Sequence, residues 1–223
     1  MLRRRDRLLD RLARELTGDP TSDLAAEAVD LVRRLAGDGT TAPPVERLAA
    51  LLTMRVATAL VSPVSAGCAW LLVDALSEPD LVTGGADPRA VVRESLRLHP
   101  PAWLIEREVS EPARLTVGPV DAGELVYVSP YLIHRRPDYH AEPDRFRPDR
   151  WSGQRVEAGR FLPFGLGRHA CVGADIAYQA LTRFHARLAG SRLRAGDPRA
   201  DLTPTRPCPV LVPSPFTVTE VGR

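Results

Sequence analysis

The chain of 223 residues is short of cysteine, of charge imbalance and of unbroken apolar sequence. Its three cysteines, Cys68, Cys171 and Cys208, form no Cys-x-x-Cys pair and no zinc-ligand spacing. Disulfide scaffolds, thioredoxin-type redox centres and zinc modules are thereby set aside. So sparse and odd a count suits a reducing compartment. Lys+Arg 30 against Asp+Glu 28 leaves a net charge of +2, too even to predict binding to nucleic acid or to an anionic membrane. No unbroken apolar run reaches the roughly 18 residues of a membrane span. Met1-Leu2-Arg3-Arg4-Arg5-Asp6 leads into an amphipathic helical pattern and not into the apolar core of a signal peptide. Neither an internal repeat nor a low-complexity segment occurs. Together these absences predict a soluble, cytoplasmic protein with no nucleic-acid and no membrane partner.

A hydrophobic fraction of 44% supports a globular core of one domain or two. Leu8, Leu9, Leu12 and Leu16 mark one helical face, and Leu24, Ala28, Leu31, Val32 and Leu35 mark another. Residues 37–44 read as a loop. A helix over 45–59 is expected to be interrupted by Pro63 and to resume over 64–76. Gly84-Gly85 makes a loop before a helix that carries Glu94, and Pro100-Pro101 ends that helix in favour of an extended segment. Short strands are expected at 115–117, 125–128 and 210–212, with proline-rich irregular coil over 138–151. The class is mainly α with small β elements. It divides into a helical region 1–77, a helix, strand and coil region 87–151, and a region 160–223 built on Cys171.

Cys171 is the most informative residue. It lies in the run Phe164-Gly165-Leu166-Gly167-Arg168-His169-Ala170-Cys171-Val172-Gly173, which leads into helical sequence from Ala174 to Leu188. Gly165 and Gly167 permit tight turns and the close approach of a flat group. A sulfur at a helix start feels the positive end of the macrodipole, which favours its anionic form. His169 can donate a hydrogen bond to a carboxylate, and Arg168 beside it can pair with the same group. The plainer alternative is a buried structural cysteine.

This run resembles the heme-binding signature of the cytochrome P450 family, the heme-thiolate monooxygenases, at Phe164, Gly165, Gly167, His169, Cys171 and Gly173. Two further family motifs precede it in the right order, Glu94-Ser95-Leu96-Arg97 and Phe146-Arg147-Pro148-Asp149-Arg150-Trp151. The resemblance implies heme b, with Cys171 as the iron ligand and Phe164, Gly165, Arg168, His169 and Gly173 around the cofactor. It implies a buried structural triad of Glu94, Arg97 and Arg150, with Arg145 the second choice for the last place. Glu94 and Arg97 stand at i and i+3, where helical side chains meet. The family also places an arginine at Arg107 to hold a heme propionate, with His134 a candidate for a second anchor, an exposed loop histidine being the alternative. Trp103, Leu104 and Ile105 then line the substrate pocket, ordinary sheet core being the alternative.

Two departures from the family pattern stand out. The resemblance covers only the C-terminal, heme-binding half of the fold, so the N-terminal half is expected to be absent. A fragment, a misplaced start, a degenerate descendant and a second chain supplying the missing half are the alternatives. On the central helix, the positions of the family's proton-relaying acid and threonine fall on Ser62 and Pro63. Ser62 or Ser65 with water could carry part of that relay; Pro63 has no proton to give. The implied activity is insertion of an oxygen atom from O2 into a small hydrophobic substrate, with a ferredoxin and ferredoxin reductase as electron donors, in the manner of bacterial secondary metabolism. The runs around Pro100 to Trp103 and Ser129 to Pro137 most resemble bacterial terpene hydroxylases. The competing readings are a peroxide-using variant, a non-catalytic P450-like partner or scaffold, and a heme-free module that keeps the motifs for packing.

Overall fold

One helix, α1 (Val45–Ser77), runs through Pro63 without a break. The expected interruption is absent. A proline inside a helix removes one N–H and costs about 3 kcal/mol. Here it withholds a donor only from the carbonyl of Ala59, an exposed position where water can replace it. The computed structural model describes residues 10–11, 13–14, 30–31, 34, 45–153, 157, 159–189, 191, 193–195, 210 and 218–220. They fall into two compact units, residues 1–61 and residues 62–223.

In the first unit, Asp10, Arg11, Ala13, Arg14, Asp30, Leu31 and Arg34 are helical, as are residues 45–61. Ala49 and Ala50 are fully buried, whereas Val56, Leu60 and Val61 are exposed. Of the two apolar faces read from the sequence, only Leu31 lies among the described residues, and it is exposed. Leu8, Leu9, Leu12, Leu16, Leu24, Ala28, Val32, Leu35 and the loop 37–44 lie outside them.

The span Arg47–Ser77 is long and apolar enough to cross a membrane, by length and composition. A count of unbroken apolar residues misses this because Thr58, Ser62, Pro63, Ser65 and Gly67 punctuate a stretch that carries no charge from Val56 to Val73. Within the second unit, however, Ala66, Trp70, Leu71 and Val73 of α1 are buried in protein.

The core of the second unit joins Leu71 of α1 to Val91, Val92, Leu96 and Leu98 of α3 (Pro88–Leu98) and to Leu181 and Leu188 of α5 (Ala174–Ala189). Val82, from the one-turn helix α2 (Pro79–Thr83), and Phe146 complete it. Asp87 caps α3, its side chain accepting from the Arg89 N–H at 3.1 Å, with Pro88 in the first turn. Helix α5 buries Leu181, His185 and Leu188, one face at helical spacing. It crosses α1 at Gly67, where a Cβ would stand 2.9 Å from Leu181 Cδ2. His185 Nε2 donates to the Val82 carbonyl at 2.7 Å and ties α5 to α2.

Strands occur only in antiparallel pairs among the described residues. β1 (Ile105–Glu108) pairs with β4 (Leu125–Val128), Ile105 opposite Val128. β2 (Ala113–Leu115) and β3 (Gly118–Val120) form a hairpin, so the strand expected at 115–117 begins two residues earlier and turns at 116–117. β5 (Leu193–Ala195) pairs with β6 (Val218–Glu220), neither of them anticipated. Val210 is a bend, and 211–212 lie outside the described residues. The one-turn helix α4 (Pro130–Ile133) leads into coil that carries short 3-10 turns at Pro148–Trp151 and Gly167–His169.

Candidate functional site

Glu94 is fully buried, and five donors converge on its carboxylate. Oε1 accepts from Arg97 Nη2 at 2.8 Å, from the Arg147 N–H at 2.8 Å and from Arg150 Nε at 3.0 Å. Oε2 accepts from Arg97 Nε at 3.0 Å and from the Trp151 indole N–H at 2.9 Å. Arg97, equally buried, spends its other three N–H bonds on carbonyls: His134 at 3.0 Å, Pro143 at 2.5 Å and Arg145 at 3.0 Å. A guanidinium has five N–H groups, so every one is used. Arg150 Nη1 reaches the Ala141 carbonyl at 2.9 Å. The structure thus brings Glu94, Arg97 and Arg150 together. Arg145 contributes its carbonyl to Arg97, while its side chain pairs with Glu142 at the surface. The indole of Trp151 and the Arg147 amide were not foreseen as partners. An N–H-bearing aromatic beside Arg150 was the available signal for the first.

His134 does not take the expected place facing a propionate. It is fully buried, at the end of α4, because two segments close over it. Its Nδ1 lies 3.1 Å from the Arg97 carbonyl, and its Nε2 lies 2.9 Å from the Leu162 backbone nitrogen. Burial pushes its pKa down to about 3, with Arg97, Arg135 and His140 adding to the lowering and the Arg97 carbonyl opposing it. The ring is therefore neutral at pH 7. In the unfolded chain it binds a proton near pH 6.5, so folding opposes protonation between that pH and about 3. Stability contributed by the neutral ring is accordingly lost as pH falls through this window. Urea midpoints should register about 2 kcal/mol lost through this residue between pH 7 and pH 5. A His134→Gln chain should lack that component of the pH dependence.

The cysteine loop is fixed by its own main chain. The Gly165 N–H donates to the Leu162 carbonyl at 3.1 Å, the Ala170 N–H to Gly167 at 3.0 Å, and the Cys171 N–H to Phe164 at 2.8 Å. Gly165 has φ +73°, a left-handed conformation, and a Cβ there would stand 3.4 Å from the His169 carbonyl oxygen. Cys171 is a free, exposed thiol three residues before α5. The alternative of a buried structural cysteine is thereby removed. Arg168 and His169 are exposed, Arg168 Nε donating to His169 Nε2 at 3.2 Å. The Phe164 ring instead packs inward on Tyr178 of α5, centroids 5.1 Å apart.

Arg107 lies exposed on β1, bonding the Glu106 carbonyl at 2.8 Å. Among the described residues, no hydrogen bond or ion pair joins it to Arg168, His169 or Cys171. Trp103 packs on Trp70 and Val73 of α1 with Tyr131, and its carbonyl accepts from Ser129 Oγ at 2.9 Å. Leu104 is exposed and Ile105 half-buried. Ser62 is exposed on α1.

Residues 89–188 match the family model described as Cytochrome P450. Two Streptomyces melanosporofaciens proteins resemble the chain. Cyclooctat-9-en-7-ol 5-monooxygenase is 39% identical over 110 residues, 48% of this chain and 24% of that protein. Cyclooctatin synthase is 38% identical over 128 residues, 51% of this chain and 28% of that protein. The chain therefore spans about a quarter of the length of these relatives. Among solved structures, CYP154A1 from Streptomyces coelicolor A3(2) is 25% identical with a TM-score of 0.72, over 94% of this chain and 51% of its own. Retinoic acid-bound cyanobacterial CYP120A1 is 20% identical with a TM-score of 0.76, over 97% of this chain and 56% of its own. The mainly helical arrangement with small sheets is part of that fold.

Heme is the group such proteins bind, and the residues present fit it. The exposed thiol of Cys171 is a ligand of the right chemistry. Leu166, Val172 and Ile176 leave apolar surface exposed on the same segment, which a flat apolar group would cover. Arg168 and His169 offer exposed donors for its carboxylates.

Proposed function

We propose, for a chain that belongs to the cytochrome P450 family, that it is the heme-binding portion of a monooxygenase acting on a small hydrophobic substrate. Heme b, held by Cys171, would supply cleavage of an O–O bond, one oxygen atom going into the substrate and the other leaving as water. Where dioxygen is the oxygen source, a ferredoxin and its reductase would supply the electrons. The observation that carries this reading is the exposed Cys171 thiol, held by a loop with positive-φ glycines. A scaffold that binds no heme has no need of that thiol. Cys171 Sγ would be the iron ligand, and Arg107, Arg168 and His169 would hold the propionates. Trp103, Leu104 and Ile105 would face the substrate. The name of one Streptomyces relative, cyclooctat-9-en-7-ol 5-monooxygenase, supports an unsaturated alcohol of that kind as the substrate class. Exposed Val56, Leu60 and Val61 on one unit, and Leu104 on the other, call for further polypeptide as cover, in this chain or a second one.

The pair at Ser62 and Pro63 favours peroxide as the oxygen source over dioxygen with two electrons. Positioned proton transfer is commonly worth about 10²- to 10⁴-fold in rate, and of these two residues only Ser62 has a hydroxyl proton to offer. Turnover of cyclooctat-9-en-7-ol by the heme-loaded protein is the test. Hydrogen peroxide should drive product formation faster than NADPH with ferredoxin, reductase and oxygen, most of whose reducing equivalents should be lost uncoupled. Efficient coupled NADPH turnover would show that Ser62 and water suffice. No heme uptake by the folded protein would end the reading.

A further inference from the structure

Arg97 and His134 are bonded to each other twice. Arg97 Nη1 donates to the His134 carbonyl at 3.0 Å, and His134 Nδ1 meets the Arg97 carbonyl at 3.1 Å. On its other side the ring meets the Leu162 backbone N–H, 2.9 Å from Nε2. A carbonyl can only accept and a backbone N–H can only donate. Nδ1 must therefore carry the ring's proton, and Nε2 must carry none. The tautomer is dictated by two backbone partners, from segments 65 residues apart in sequence.

The Leu162 peptide is where the cysteine loop begins. Its carbonyl accepts from the Gly165 N–H, and two residues on, the Phe164 carbonyl accepts from Cys171. The His134 backbone is itself held, its N–H donating to the Pro130 carbonyl at 2.8 Å. Its ring lies against Phe161, centroids 5.3 Å apart. A continuous path thus runs from the Glu94 carboxylate through Arg97, His134 and Leu162 to the loop. Direct bonds from the Glu94 cluster reach residues 134 to 151, and among the described residues no hydrogen bond of Glu94, Arg97 or Arg150 reaches the loop itself.

We propose that His134 is a positioning residue, which sets the root of the cysteine loop against the Glu94–Arg97 cluster and thereby places the Cys171 sulfur. The assignment rests on the reading of Cys171 as a heme ligand. The two ring nitrogens do different work. The Nδ1 side locks the histidine to α3, and the Nε2 side holds the loop.

Two substitutions separate these sides. In His134→Gln the amide oxygen can stand near the place of Nε2 and accept from Leu162. In His134→Asn the amide nitrogen stands near the place of Nδ1, so the bond to Arg97 is kept and the loop is released. Amide hydrogen exchange on the full-length chain without heme reads the effect directly. His134→Asn should exchange at Leu162 and Cys171 at least tenfold faster than wild type, with the α3 amides of Leu96 and Leu98 unchanged. His134→Gln should stay within a few-fold of wild type at all four. After heme loading, His134→Asn should show a reduced fraction of the thiolate-type band in its carbon monoxide difference spectrum, and His134→Gln should recover it. Equal acceleration in α3 would mean general destabilisation and would overturn the proposal. So would the two variants behaving alike, or an unaltered band fraction in His134→Asn that has lost protection at Leu162. Should both variants fail to fold, ¹⁵N shifts of the wild-type imidazole decide: a protonated Nε2 overturns the assignment. Failure of the wild type to take up heme would sink the functional reading while leaving the exchange result standing.

Discussion

Glu94→Ala is expected to yield no folded, soluble chain. The substitution removes an acceptor that serves five donors at once, in a site from which water is excluded. Arg97 would be left as a buried charge with its carbonyl partners only, and the Trp151 N–H would have no acceptor. Breaking a buried pair by deleting one member costs roughly 3–5 kcal/mol. Each further buried donor left unmatched adds about 1–3 kcal/mol. Against a total stability of about 5–15 kcal/mol for a typical domain, that is most of the margin. Urea unfolding followed by tryptophan fluorescence should show no cooperative transition for this variant. Glu142→Ala gives the contrast. Glu142 pairs with Arg145 and Arg147 at the surface, where screening by water leaves little to lose, so the midpoint should barely move. A cooperative wild-type-like transition for Glu94→Ala would mean that the cluster is ornamental.

Cys171→Ser should fold as the wild type does and fail to bind heme through sulfur. The residue is exposed and its loop is held by backbone bonds, none of which involves the sulfur. Stability should therefore stay within about 0.5 kcal/mol, as for a surface substitution. Ligand chemistry changes outright, since a serine hydroxyl is a far weaker donor to iron than a thiolate. Protein loaded with hemin, reduced and exposed to carbon monoxide should show a strongly red-shifted Soret band for wild type and none for Cys171→Ser. Cys68→Ser is the control. Cys68 is partly buried against the core, and burial pushes its thiol pKa up, away from ligand chemistry. Retention of the red-shifted band by Cys171→Ser would refute the assignment of the ligand.

The residues that sequence reasoning located best are those whose chemistry and spacing carry one meaning. Glu94 and Arg97, three apart on a helix, and Arg150 beyond a proline-rich coil could be paired because one acid followed by two arginines in that arrangement resembles a known motif. Pro63 misled, because a rule about helix interiors does not say whether the freed carbonyl faces water. His134 misled for a different reason. A histidine near basic residues reads as a donor to an anion, and only the closure of Leu162 over its ring reveals an acceptor. The strands β5 and β6 escaped notice because three-residue pairs leave almost no periodic trace. Across residues 56–73, α1 hid its continuity behind small polar residues that a helix tolerates.

The loop before α5 owes its shape to peptide groups: Leu162 with Gly165, Gly167 with Ala170, Phe164 with Cys171. The side chains at 166, 168, 170 and 172 take no part in those bonds and are exposed. Substitutions at these four places can therefore change what the segment presents to its surroundings without disturbing the frame that presents the sulfur. Loop shape and side-chain chemistry are set by different groups in this segment, and a designer can treat them as independent variables.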